Sequence, residues 1–171
     1  GKILLYAAIP NTYLTSYEIL FYHLLRHRGY EVDYVIYDES APLTELITQD
    51  AVEKKGKTAY WNPLVKQGKQ ILAAAGIRPL TVPFNMEELN ALMPPEDAPS
   101  EAYFNFSIDG CHIGNHVHGV IFRYYKSTTL GPEAAPVARK FLTTALANFL
   151  FIRSLCQKND YHAVLFSHGI Y

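Results

Sequence analysis

An apolar run, a helix and an alternating strand follow one another at the start of this chain, and that order constrains its fold more than any other feature. Lys2 to Ile9 is almost wholly apolar and is closed by Pro10 and Asn11. A strand buried on both faces reads this way. Thr15, Ser16, Tyr17 and Glu18 have the form of a capping box, and a helix is predicted from there to about Arg28. Gly29 suits a left-handed C-terminal cap. Glu31 to Tyr37 alternates and is predicted to be the second strand. Strand, helix and strand on short loops make a βαβ unit, which requires parallel strands and a right-handed crossover.

The rest of the chain continues the pattern. Asn62 and Pro63 resemble an N-cap followed by a first-turn proline, so a helix is predicted over 63–75, ended by Gly76. A short strand is predicted over 78–82 and a short helix over 86–92. The proline-rich stretch from Pro94 to Pro99 is the best candidate for an internal boundary or a mobile excursion. Asp109 and Gly110 signal a turn. Helices follow from about Asn115 to Ser127 and from Ala134 to Gln157, and a last strand from His162 to Phe166. The fold class is therefore α/β: an open parallel sheet flanked by helices, with 1–171 read as one domain.

Composition removes several functions. Hydrophobic residues are 49% and charged residues 18%, a globular balance. The net charge is −1 with no basic block, which argues against nucleic acid as a partner. Two cysteines make no disulfide framework, and a reducing, cytoplasmic setting is expected. The longest near-apolar stretch, Ala145 to Cys156, is too short for a membrane span. Any membrane contact is expected to be peripheral, at the inner face. Thirteen Tyr and nine Phe suit a sugar-binding or lipid-facing surface, although core packing is the plainer use.

Candidate site residues lie where open α/β sheets bind ligands, beyond the carboxyl ends of strands. Asn11 and Thr12 follow the first strand, where a helix N-terminus offers free amides to an anion or a hydroxyl. Plain turn formation is the alternative reading of both. Capping alone accounts for Thr15 and Glu18. That loop carries neither Gly-x-Gly-x-x-Gly nor Gly-Lys-Ser/Thr, so no dinucleotide cofactor is expected. His168 follows the last strand and is the candidate general base, with a hydrogen-bonded loop histidine as the alternative. Arg123 sits in an apolar, aromatic helix segment and needs a carboxylate, a phosphate, an aromatic face or water. Cys111, His112, His116 and His118 form the densest ligand-type cluster, but no complete metal signature matches and no metal is expected.

Three segments together resemble the N-terminal half of GT-B-type glycosyltransferases, especially the bacterial capsule and surface-polysaccharide biosynthesis group. They are Lys2 to Tyr6 with Leu24 to Val32, Ile108 to Gly114 with Arg123 and Tyr124, and Phe166 to Tyr171. They span most of the chain; between about 40 and 105 only the helix ending in Ala75, Gly76 and Ile77 adds to them. The resemblance implies two Rossmann-like domains around a cleft, of which this chain is the acceptor side. It implies a saccharide or glycolipid acceptor, and a nucleotide-sugar donor held mainly by a C-terminal domain. It implies no catalytic metal. The matched positions are Gly114, Arg123, His168, Gly169 and Tyr171. The chain stops at the mouth of its own expected site, so it is expected to be one half of a larger enzyme, inactive alone. The rival expectations are a stand-alone flavodoxin-like binding or regulatory domain, and a small metal-dependent hydrolase using Cys111 to His118.

Overall fold

The structure, a computed structural model, describes residues 1–8, 12–44, 56–127 and 129–166; for Ala8 and for 12–14 it describes the backbone alone. The chain divides into two compact units, one formed by 1–39, 58–82 and 152–171 and the other by 40–57 and 83–151.

The first unit holds the sheet. Its strands are β1 (Lys2–Ala8), β2 (Glu31–Ile36), β3 (Leu80–Thr81) and β4 (Tyr161–Phe166). They are all parallel, in the order β3-β2-β1-β4. Ile3 to Ala7 are consecutively buried, as the continuous apolar run requires of a strand covered on both faces. Helix α1 (Thr12–His27) joins β1 to β2, and α2 (Lys57–Ala74) precedes β3. Leu5, Ala7, Tyr34 and Ile36 form one core cluster with Leu72 and Ile77, and Ile19 and Tyr22 of α1 pack against it.

Both helices end in the same way. Gly29 has φ 85°, its N–H reaches the Arg26 carbonyl at 3.0 Å, and Tyr30 N–H reaches the Leu25 carbonyl at 3.1 Å. This paired closure needs a left-handed residue, which glycine adopts without a Cβ clash. Gly76 repeats it at the end of α2.

Two sequence expectations fail here, each to a tertiary contact. α1 begins at Thr12, so Thr15 is not its cap. Thr15 and Glu18 are instead buried, and the Tyr34 hydroxyl of β2 donates to the Glu18 carboxylate. A buried carboxylate needs such donors more than a helix end needs a capping box. α2 begins at Lys57 rather than at Pro63, which lies inside it. Trp61 is wholly buried and its Nε1–H donates to the Asp38 carbonyl at 2.9 Å. That anchor holds the extra turns ahead of a proline, whose missing N–H would otherwise weaken them.

The second unit is helical: α3 (Met86–Leu92), α4 (Ser100–Phe104), α5 (Ile113–Tyr125) and the part of α6 (Ala134–Lys158) up to Phe151. Asn85 caps α3, accepting from the Glu88 N–H at 3.4 Å. The proline-rich loop is not a boundary; it lies within this unit. The Pro94 carbonyl accepts from Arg139 at 2.7 Å and the Pro95 carbonyl from the Tyr103 hydroxyl at 2.7 Å. Asp109 and Gly110, both at positive φ, make the expected turn, closed by a bridge between Ile108 and Cys111.

Candidate functional site

The strand order sets where a ligand site belongs. From β1 the chain steps through β2 to β3 on one side, while β4 lies on the other side of β1. A crevice opens at the carboxyl edge of a parallel sheet where the strand order reverses. The switch point is therefore between β1 and β4, whose carboxyl ends are Ala8 and Phe166.

Aromatic groups occupy this edge. Tyr6 and Phe166 are register partners, with ring centroids 5.5 Å apart in an edge-to-face arrangement. Tyr6 is buried, and its hydroxyl donates to that of Tyr37 at 3.1 Å. Phe166 is 58% exposed at the strand end. Beyond β2 come Asp38 and Glu39. Lys69 of α2 meets the Glu39 carboxylate at 2.6 Å, and this hydrogen bond holds the Glu39 carboxyl below its usual range.

The residues singled out from the sequence fall into three groups. Asn11, His168, Gly169 and Tyr171 lie outside the described residues, in the segments that continue from β1 and β4. Thr12 is the first residue of α1. Gly114 and Arg123 belong to the second unit. Gly114 is buried in the first turn of α5, and its N–H reaches the Phe106 carbonyl at 2.9 Å. A Cβ there would stand 2.2 Å from the Phe104 carbonyl oxygen, so close backbone packing of α4 and α5 already requires the glycine. Arg123 is exposed in the last turn of α5.

That packing leaves an open cleft of about 340 Å³ in the second unit, lined by Glu101, Phe104, Asn105, Asn115, His118 and Phe122, among others. The His118 ring lies 4.5 Å from Phe104 and 4.6 Å from Phe122, centroid to centroid. His112 pairs elsewhere, its Nδ1 lying 2.8 Å from the Ser107 hydroxyl. Among the described residues no group of three or more His, Cys, Asp or Glu side chains is placed to hold a metal ion. None of their helices is long and apolar enough to cross a membrane.

Sequence reasoning missed the Tyr6, Tyr37 and Phe166 group. The signal was present, since all three are aromatic residues at or near strand ends. No family model, curated protein or solved structure matches the chain.

Proposed function

We propose that this chain is the acceptor-side, Rossmann-like domain of a GT-B-type glycosyltransferase acting on a bacterial surface polysaccharide or glycolipid. One observation carries the reading: the all-parallel order β3-β2-β1-β4 puts the switch point between β1 and β4. The segments continuing from those two strands are the ones that hold Asn11 and Thr12, and His168, Gly169 and Tyr171. The aromatic strand ends suit a saccharide, whose apolar ring faces pack on side chains such as Phe166.

In this reading an acceptor hydroxyl gives its proton to a base, with His168 in that role. The hydroxyl oxygen bonds to the anomeric carbon as the bond from that carbon to the diphosphate oxygen breaks. The nucleoside diphosphate leaves with the electron pair. Asn11 and Thr12 line the acceptor cleft. The reading gives the nucleotide-sugar donor mainly to a second domain of similar architecture.

Calorimetric titration of this chain with oligosaccharides and, separately, with nucleoside diphosphates tests it. Saccharide binding that His168→Ala leaves intact and Phe166→Ala weakens is the expected result. Tight nucleotide binding with no saccharide binding would overturn the reading and favour a nucleotide-binding regulatory domain.

A further inference from the structure

Helix α1 is apolar on the wrong side as well as the right one. Thr15, Glu18, Ile19 and Tyr22 face the sheet. On the opposite side Tyr17, Leu20, Phe21 and Leu24 recur at spacings of three, four and seven, and they are 55%, 58%, 57% and 52% exposed. At 100° per residue these four centre directly opposite the buried set. A helix apolar on both faces is covered on both.

Charge identifies the cover. His23, Arg26, His27 and Arg28 are exposed at the C-terminal end of α1. The single acidic residue from Thr12 to Arg28 is Glu18, which is buried. The outer surface of the helix therefore offers large apolar side chains with Arg28 and the His27 imidazole beside them and no carboxylate. A second copy of the chain would bring the same cations and no anion on its helix to meet them. Area points the same way. At roughly 200 Å² for each large side chain, just over half of it open, the stripe offers on the order of 400 Å². That is about half of the ~800 Å² per partner of a standard protein interface. An anionic bilayer surface has no such minimum, and it takes up helices with aromatic and leucine residues beside basic ones.

We infer that the outer face of α1 docks on an anionic lipid surface, with Leu20, Phe21 and Leu24 entering the headgroup boundary and Arg28 meeting lipid phosphates. This inference stands independently of the sugar-transfer reading. Co-sedimentation of the chain with vesicles of phosphatidylcholine alone, and of phosphatidylcholine mixed with phosphatidylglycerol, tests it. The chain is expected to sediment with the anionic vesicles and to remain in solution with the neutral ones.

The double variant Leu20→Ser/Phe21→Ser is expected to lower anionic binding by about tenfold or more with an unchanged melting curve, since both positions are exposed. Arg28→Gln is expected to weaken it several-fold, in the way that raised salt weakens the wild type. A chain that stays in solution with both vesicle types would overturn the inference. So would vesicle binding indifferent to the Leu20 and Phe21 substitutions. A solution dimer that those substitutions dissociate would assign the face to a second copy instead.

Discussion

The two edges of the sheet end the same strands in opposite ways. At the amino edge Lys2 Nζ lies 2.9 Å from Asp33 Oδ2 and donates to Asn159 Oδ1 at 2.8 Å. The Tyr161 hydroxyl donates to the same Asp33 carboxylate, and Lys2 also stands over the Tyr161 ring, 5.4 Å from its centroid. Charge meets charge there, and the cluster ties the first residue of β1 and the third of β2 to the start of β4. At the carboxyl edge the rings of Tyr6, Tyr37 and Phe166 lie at or near strand ends, with Phe166 largely open to solvent. An edge whose polar groups satisfy one another serves stability. An edge that exposes a ring beside a switch point is suited to a ligand.

Breaking the amino edge should have the largest effect on stability. Asp33→Ala removes the partner of Lys2 and of the Tyr161 hydroxyl, and a loss of about 2 kcal/mol is expected from denaturant unfolding. Ligand affinity should be unchanged in the same variant.

Alkaline unfolding sharpens the same contrast. Burial first, then the Asp33 carboxylate, raise the Tyr161 hydroxyl above the ordinary tyrosine range; burial first, then Glu18, do the same to Tyr34. A raised value in the folded state means that the folded chain keeps protons which the unfolded chain gives up. Their contribution is full below about pH 10 and declines as pH rises beyond it, so the unfolding free energy should fall on that limb. Tyr161→Phe should flatten it in a pH series of denaturant titrations.

The carboxyl edge should respond in the opposite sense. Phe166→Ala is expected to change unfolding free energy by no more than ~0.5 kcal/mol, because the ring is already 58% exposed. It should weaken saccharide binding by about tenfold in calorimetry. The smallest effect belongs to Glu39→Gln. Its ion pair with Lys69 is half exposed, so a loss of about 0.5 kcal/mol or less is expected near neutral pH. Because the Glu39 carboxyl is lowered in the folded state, that contribution is present above the ordinary carboxylate range and lost as pH falls through the folded value.

The parallel sheet was legible because β1, β2 and β4 are apolar or alternating runs between helical segments. α3 runs over Met86–Leu92 as expected, and Asn85 with the following acidic pair marks its start. What escaped was decided by distant residues. Tyr34 claims Glu18 from sixteen positions away, and Asp38 anchors Trp61 from twenty-three. α4, only five residues long, has no periodic pattern to read. The switch point was anticipated only through the loops that follow strands. Tyr6 and Tyr37 meet because β1 and β2 run in parallel register, which no local pattern encodes. Gly114 entered as a position matched by the resemblance, and its fit against Phe104 is a packing reason that becomes visible only once α4 and α5 are placed.

The most direct test of the switch point as the binding site is an amide NMR titration of the isotopically labelled chain with oligosaccharides. The largest shifts are expected at Tyr6, Tyr37 and Phe166, with Lys2, Asp33 and Tyr161 unmoved. Shifts confined to the amino edge, or to Glu101 and His118 in the α4–α5 cleft, would contradict it.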